Sequence, residues 1–146
     1  MKVVAKNRRA NFDYEIVDTI EAGIILSGQE VKSCRMGHVN LAGAYVSFFR
    51  GTPVLKNASI TAYSFASGTE SYDPNHDRQL LLSKKDIERL NASSAEKGTT
   101  LIPMEVRAGK YIKVLIGVGK GRKRIDKRQK KKDEDIKKRL KKGLDY

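Results

Sequence analysis

Tryptophan is absent from this sequence, and cysteine occurs once, as Cys34. A lone cysteine can form neither an internal disulfide nor a Cys/His zinc site, which excludes the disulfide-stapled and zinc-finger classes. We expect Cys34 to be a small buried residue in a reducing, cytosolic environment. Aromatic residues make up only 7% of the chain, so no row of stacking platforms for single-stranded nucleic acid is evident.

Long apolar runs are missing too. The first residues, MKVVAKNRR, lack the apolar stretch of a signal peptide, and the uncharged residues 22–29 fall far short of the ~20 apolar residues that span a bilayer. We therefore expect a cytoplasmic chain with no membrane partner. Hydrophobic residues still make up 39% of the 146 residues, which is enough for one domain with a core and an appendage.

Acidic residues are outnumbered by basic ones. The 30 Lys and Arg residues against 17 Asp and Glu residues give a net charge of +13 and a pI of about 9.9. Residues 120–146 carry +9 of this charge and residues 1–119 only +4. The break predicts two units, a body over residues 1–119 and a basic tail over residues 120–146, and it makes a polyanion the first partner to consider.

Short alternating segments in the body predict a mainly β fold. We expect about six strands, over residues 12–20, 24–26, 45–49, 54–55, 99–107 and 111–118. In the last of these the apolar residues on one face are Ile112, Val114, Ile116 and Val118. Strands this short and close together favour a small barrel, closed or partly open, over a parallel sheet.

Two helices are expected to flank the barrel. Residues 29–36 contain no glycine or proline and can form about two turns before a glycine ends them. Ser83 can cap a second helix in which the carboxylate of Asp86 reaches back to the cap, and this helix would end near residues 97–98. The polar residues 64–79 are typical of an exposed loop.

The tail has the sequence features of a helix, but the repulsion among its positive charges disfavours helix formation. Asp126 can cap it, and acid-first pairs such as Asp133 and Lys137 support it. The apolar residues on its single stripe are Ile125, Ile136, Leu140 and Leu144. We expect the tail to be disordered when free and helical when a polyanion neutralises it. The alternative is a solvated basic tail that only adds non-specific affinity.

Catalytic groups are sparse. His38 and His76 lack partners at metal-ligand spacing, and the polar residues 73–77 resemble a metal loop only loosely. The glycine-rich residues 117–121 lack the Gly-Lys-Ser/Thr ending of a phosphate loop. Their glycines are better explained by close approach of the backbone to an RNA phosphate. We expect a protein that is not an enzyme and that needs no metal or cofactor.

Basic side chains cluster at two places in the body. Arg8, Arg9, Lys32 and Arg35 flank the first strand and the short helix, and residues 120–124 follow the last strand. Such groups contact phosphates, which position an RNA without reading its sequence. Together with the scarcity of aromatic residues, this favours recognition of a folded RNA by its shape.

Five segments add a family resemblance to this interpretation. They are residues 7–10 (NRRA), 21–33 (EAGIILSGQEVKS), 78–82 (RQLLL), 117–123 (GVGKGRK) and 126–128 (DKR). Each is weak alone, but their order and combination over nearly the whole chain are specific. The sequence resembles the SmpB family, the SsrA-binding proteins of bacterial trans-translation.

The resemblance implies an oligonucleotide-binding-fold barrel that binds the tRNA-like domain of transfer-messenger RNA and delivers it to stalled ribosomes. The tail would then occupy the empty message channel and stand in for codon–anticodon pairing at the decoding centre of the small subunit. No cofactor, membrane or small-molecule substrate is implied. The alternative is a structural ribosomal or RNA-chaperone-like barrel; a nucleic-acid enzyme is more remote.

The basic clusters and the resemblance together give the candidate residues. In the body the RNA-binding residues would be Asn7, Arg8, Arg9, Glu21, Lys32, Arg35, Leu81, Lys120, Gly121, Arg122 and Lys123. In the tail the decoding-centre residues would be Ile125, Asp126, Lys127, Arg128, Lys131, Lys132, Ile136, Lys138 and Arg139.

Four of these residues have open roles. Because a carboxylate cannot attract phosphate, Glu21 would accept hydrogen bonds from base or ribose donors or hold a neighbouring basic side chain in place. Leu81 would pack against an unstacked base or simply belong to the core. Ile125 and Ile136 stand where the family often has stacking residues, so apolar packing would replace stacking there.

Overall fold

The strands of the body close into a ring. The computed structural model describes residues 1–63 and 71–121. The strands are β1 (Lys2–Lys6), β2 (Tyr14–Ile24), β3 (Val39–Asn40), β4 (Tyr45–Phe49), β5 (Thr52–Lys56), β6 (Ser59–Ile60), β7 (Arg78–Leu81), β8 (Thr99–Ala108) and β9 (Ile112–Gly121). The helices are α1 (Ala10–Asp13), α2 (Gly28–Arg35) and α3 (Lys84–Ser94).

Six strands form the ring, in the order β8-β4-β5-β7-β2-β9, and β9 returns to β8. Every pairing is antiparallel. β1 adds to the ring by pairing with β8, and β3 and β6 form a separate short pair. The mainly β barrel with flanking helices is therefore confirmed.

β2 is longer than the sequence predicts. The segments over residues 12–20 and 24–26 are not two strands, because residues 14–24 form one strand that pairs with β9 from Tyr14 to Gly23. No turn interrupts it, and an irregularity between Ile16 and Asp18 lets it curve around the barrel. Phe12, expected at the start of a strand, lies in α1 instead.

Four strands escape prediction from the sequence: β1, β3, β6 and β7. Two of them have only two residues, and β1 has lysines at both ends. β7 starts at Arg78, which lies in the segment expected to be an exposed loop but is 1% exposed. The rest of that expectation concerns residues 71–77, which carry no strand or helix, and residues 64–70, which lie outside the described residues.

The core lies inside the ring and follows the alternation of the strands. The side chains of β9 expected on one face, Ile112, Val114, Ile116 and Val118, are all buried, as predicted. Ala22, Leu55, Leu80 and Leu101 join them from the neighbouring strands. Cys34 from α2 and Leu90 from α3 are fully buried against this core, so the helices cover the barrel rather than stand apart from it.

Helices α2 and α3 begin at hydrogen-bonded caps. The hydroxyl of Ser83 accepts a bond from the N–H of Asp86 at 3.2 Å, as predicted, but the carboxylate of Asp86 makes no return bond within residues 1–63 and 71–121. The reciprocal arrangement occurs instead at α2, between Ser27 and Glu30. α3 ends at Ser94, three residues before the predicted end.

β9 extends across the predicted boundary between the body and the basic tail. Lys120 and Gly121, the first two residues of the predicted tail, are the last two residues of this strand. The predictions for residues 122–146, including the helical stripe, lie outside the described residues. None of the helices described here is long and apolar enough to cross a membrane.

Candidate nucleic-acid interface

A basic groove lies where β1 ends and α1 begins. We define it by Lys6, Arg8, Arg9, Tyr14 and Tyr45, which line a cavity of about 530 Å³. Among the described residues of this lining, three cations face one carboxylate, that of Asp13. Excess positive charge beside two tyrosine rings suits phosphates and the faces of bases or riboses.

Asn7 fixes the path of the chain into the basic groove. Its backbone N–H donates to the carbonyl of Met104 at 2.8 Å, and its Nδ2 donates to the carbonyl of Pro103 at 3.1 Å. Both acceptors belong to β8, so Asn7 holds the chain to the barrel just before Arg8 and Arg9. These two hydrogen bonds therefore position the segment of chain that carries Arg8 and Arg9.

Arg9 is held near the mouth of the groove by weak contacts. Its guanidinium lies 4.8 Å from the centre of the Phe12 ring, and its Nη2 lies 3.5 Å from Oδ1 of Asp13. The side chain is 72% exposed. Because exposed ion pairs contribute little stability, this arginine can exchange its carboxylate for a phosphate outside the chain at small cost.

The last residues of β9 pair with the first residues of β2, at the end of the barrel where the basic groove lies. Gly121 pairs with Tyr14, and Lys120 precedes it. A Cβ atom on Gly119 would lie 2.9 Å from Cβ of Tyr14, so the tyrosine can cover the strand only because residue 119 is glycine. The end of β9 therefore lies beside Tyr14, which lines the basic groove together with Arg8 and Arg9.

A second surface lies on the outside of the ring, and we call it the outer-wall patch. It consists of Glu21, Gly23, Leu81, Arg107 and Lys113. Gly23 pairs with Leu81 on one side and with Lys113 on the other, and Lys113 pairs with Arg107. Glu21 lies seven residues along β2 from Tyr14, which is roughly 23 Å at about 3.3 Å per residue.

The structure narrows the open roles of Leu81 and Glu21. Leu81 is 51% exposed, whereas its neighbour Leu80 is 1% exposed, so the interpretation of Leu81 as a core residue is wrong. The carboxylate of Glu21 accepts a hydrogen bond from Nη1 of Arg107 at 3.3 Å. Glu21 therefore does hold a neighbouring basic side chain, which is one of the two roles that the sequence left open.

Lys32 and Arg35 are not brought to the basic groove. Arg35 donates to the carbonyls of Gly109 and Lys110 at 2.8 and 3.3 Å, in the turn that precedes β9. That turn lies at the opposite end of β9 from Gly121. Lys32 lies 5.4 Å from the centre of the Tyr63 ring. Arg35 is engaged in tying α2 to the β8–β9 turn.

The barrel contains a buried polar network that the sequence does not predict. Oε2 of Glu30 accepts hydrogen bonds from Nε and Nη2 of Arg78 at 3.1 and 2.8 Å and from the hydroxyl of Tyr72 at 3.1 Å. Arg78 also donates to the carbonyls of Ala58 and Pro74. The signal available in the sequence was the capping pattern Ser27-x-x-Glu30, which places Glu30 at the start of α2.

The network changes the acidity of its members. Burial alone would raise the pKa of Glu30, but hydrogen bonds from the Ser27 N–H and from Arg78 outweigh it and lower the pKa to about 2. Burial and the charge of Glu30 raise the pKa of Tyr72 to about 12. Burial also raises the pKa of Cys34 to about 11. Glu30 is therefore ionised and Cys34 is a neutral, fully buried thiol, as expected for a core residue.

His76 belongs to this network. Its Nε2 lies 2.9 Å from Oε2 of Glu30, and its Nδ1 lies 2.9 Å from the carbonyl of Asp77. Asp73 uses its carboxylate to accept a bond from the N–H of Asn75. The polar residues 73–77 are thus shaped by contacts within the chain and with the start of α2.

Comparison with known proteins decides the family. The family model described as "SmpB protein" matches residues 4–146. This chain belongs to the SmpB family. The match includes both the barrel and the basic tail, so it covers both of the predicted units.

Individual relatives agree with this assignment. The family member from Prochlorococcus marinus strain MIT 9515, named "SsrA-binding protein", is 46% identical over 144 residues, which cover 98% of this chain and 87% of that protein. A protein of the same name from Coprothermobacter proteolyticus strain ATCC 35245 is 45% identical over 142 residues, covering 96% of this chain and 95% of that one.

A solved structure of a family member has the same fold. It is described as "tmRNA-SmpB: a journey to the center of the bacterial ribosome" and superposes with a TM-score of 0.69 at 40% identity. The superposition covers 86% of this chain and 92% of the other. The barrel is thus the fold of a family whose solved member is described with transfer-messenger RNA and the bacterial ribosome.

Proposed function

We propose that this chain binds the tRNA-like domain of transfer-messenger RNA and delivers it to stalled ribosomes for trans-translation. The observation that carries the proposal is the family match over residues 4–146, because it extends through the barrel and the tail together. The relatives named SsrA-binding protein support the RNA partner, and the structure described with tmRNA and the ribosome supports the second partner.

The body would bind the RNA with two surfaces. In the basic groove, Arg8 and Arg9 would contact phosphates, while Lys120 and Gly121 would extend this surface from the end of β9. In the outer-wall patch, Leu81 would pack against an unstacked base or a ribose, since it is exposed and apolar. Arg122 and Lys123, which lie outside the described residues, would continue the charged border toward the tail.

The tail would act on the ribosome. Asp126, Lys127 and Arg128 would lie at the decoding centre, and Ile125 and Ile136 would pack there as apolar side chains. Further contacts would come from Lys131, Lys132, Lys138 and Arg139. The charge of +9 over residues 120–146 supports entry into a channel walled by ribosomal RNA.

The first experiment identifies the RNA. The full chain is purified from its own cells under native conditions, and the bound RNA is sequenced. One dominant tRNA-like species is expected. A spread of ribosomal and messenger fragments would instead favour a structural or chaperone-like RNA-binding barrel and would refute the proposal.

The second experiment separates the tail from the body. Removing residues 126–146 should leave tight binding to transfer-messenger RNA and abolish the tagging of unfinished peptides on stalled ribosomes. Binding is measured on the purified RNA, and tagging in a translation reaction programmed with a message that lacks a stop codon. Normal tagging by the truncated chain would rule out the decoding-centre role of the tail.

A further inference from the structure

Arg107 is held between two carboxylates on the outside of the barrel. Its Nε donates to Oε2 of Glu105 at 3.0 Å, and its Nη1 donates to Oε2 of Glu21 at 3.3 Å. The arginine side chain is 31% exposed, and the two carboxylates are 23% and 40% exposed. Within residues 1–63 and 71–121, Nη2 has no hydrogen-bond partner, so this nitrogen can still donate to an acceptor outside the chain.

Stability does not account for this arrangement. Exposed ion pairs typically contribute less than about 1 kcal/mol, since water competes for both partners. Ordering an arginine side chain also costs conformational entropy. A guanidinium fixed by two neighbours, however, has already lost this freedom, so it can bind a third acceptor with a smaller further loss. The geometry therefore suits a preorganised donor.

The surroundings of Arg107 indicate what it would contact. Arg107, Lys113, Gly23 and Leu81 form a row across four adjacent strands, with a width of about 14 Å at roughly 4.8 Å per strand. Two cations stand at one end of the row and an exposed leucine at the other. A Cβ on Gly23 would lie 3.2 Å from Cβ of Leu81. Because residue 23 is glycine, the surface is recessed in the middle of the row.

The net charge around Arg107 distinguishes long-range attraction of a polyanion from a single well-positioned hydrogen bond. Arg107 and Lys113 are neighbours of Glu21 and Glu105, so the formal charge of this group is zero. A neutral group does not draw in a polyanion from a distance. It can still donate one well-aligned hydrogen bond to a phosphate oxygen that the rest of the interface brings close.

We infer that Arg107 contacts a phosphate of the bound RNA and that Glu21 is a positioning residue that acts through Arg107. This inference rests on the proposed function and deepens it: neither the charge clusters nor the motifs of the sequence single out Arg107. It also explains how a carboxylate can serve a surface that binds a polyanion.

The test measures the affinity of the full chain for transcribed transfer-messenger RNA over a series of KCl concentrations. The variant Arg107→Gln should bind about 10-fold more weakly, because it loses one charge-assisted hydrogen bond. The slope of log affinity against log salt should fall by roughly 0.7–0.9, as expected for one phosphate contact. The matched control is Arg89→Gln, which removes another exposed arginine paired with a carboxylate, Asp18, and should change neither quantity.

A double-mutant cycle tests the role of Glu21. Glu21→Gln alone should weaken binding, but in the Arg107→Gln background it should add little, because the residue it positions is gone. Arg107→Lys keeps the charge but replaces the two donors Nε and Nη1 with a single ammonium nitrogen, so it should retain the salt slope and lose part of the affinity. Urea unfolding of each variant checks that the barrel remains intact.

The outcomes separate this inference from the function it rests on. If the wild-type chain binds the RNA tightly and Arg107→Gln binds as tightly with the same salt slope, Arg107 is not a contact and only the inference is wrong. If the two substitutions add fully, Glu21 reaches the RNA itself and its positioning role is wrong. If the wild-type chain shows no preference for this RNA over bulk tRNA, the proposed function fails and the inference fails with it.

Discussion

Two glutamate–arginine pairs occupy opposite environments in this barrel. Glu30 and Arg78 are 4% and 1% exposed and share their hydrogen bonds with Tyr72 and backbone carbonyls. Glu21 and Arg107 lie on the outer wall with 40% and 31% of their side chains exposed. The inner pair has its partners inside the chain, whereas in the outer pair Nη2 of Arg107 has no partner among the residues that the structure describes.

The difference is instructive because charge pattern alone does not distinguish the two pairs. A buried charge must be compensated where it stands, so the inner pair determines how α2, β7 and residues 72–74 fit together. An exposed pair contributes little to folding and can change partners. Burial therefore decides which of these arginines serves the fold and which is available to a ligand.

The largest effect is expected at Arg78. Arg78→Met would leave the Glu30 carboxylate buried without its partner and would remove the donors to the Ala58 and Pro74 carbonyls. We expect a loss of about 3–5 kcal/mol in the free energy of unfolding. Urea denaturation measures it, with Arg107→Gln as the control that should lose less than about 1 kcal/mol. Equal losses in the two variants would remove the distinction between the pairs.

Leu80 and Leu81, which are adjacent in β7, allow the same comparison of a buried with an exposed side chain. Leu80→Ala should cost about 2–5 kcal/mol of stability, because it opens a cavity in the core. Leu81→Ala should cost well under that, because its side chain is 51% exposed, but should weaken RNA binding. Calorimetric unfolding and RNA titration of both variants check the prediction. A destabilised Leu81→Ala variant would contradict the orientation of β7.

A smaller, graded effect is expected from pH. The pKa of Glu30 falls from 4.5 to about 2 on folding, so its contribution is complete above about pH 5 and is lost as the pH drops through 4.5 toward 2. The loss should reach about 3 kcal/mol at most. Urea midpoints between pH 6 and pH 3 measure it. Glu30→Gln should flatten this dependence; an unchanged profile would show that other carboxylates cause it.

The parts of the fold that were predictable are those whose signal is local. The alternation in β9 is visible in four consecutive even-numbered residues, and the cap of α3 lies three residues from its partner. β7 and the position of Arg78 depend on Glu30, 48 residues earlier in the chain. No local pattern reveals such a partner, so the sequence predicts a loop where the strand lies.

The candidate site was predictable to a similar degree. The basic character of residues 8, 9 and 120 is visible in the sequence, but the pairing of β2 with β9, which sets Gly121 beside Tyr14 of the basic groove, is not. Arg35 looked equivalent in the sequence, but carbonyls 74 and 75 residues away engage it. The three consecutive leucines at residues 80–82 do not reveal which side chain points outward, since that depends on the register with β2.

The continuity of β2 has a consequence for selectivity. One uninterrupted strand joins the basic groove to the outer-wall patch, and the closed ring on both sides of it resists bending. The two surfaces are separated by roughly 23 Å of chain measured along this curved strand, and the distance between them in space is shorter but fixed. If both surfaces bind the RNA as proposed, an RNA whose own features match this interval would gain the second contact at high effective concentration, whereas a flexible or differently folded RNA would make only one. Two modest contacts at a fixed interval would thus select a rigid RNA without reading a single base pair.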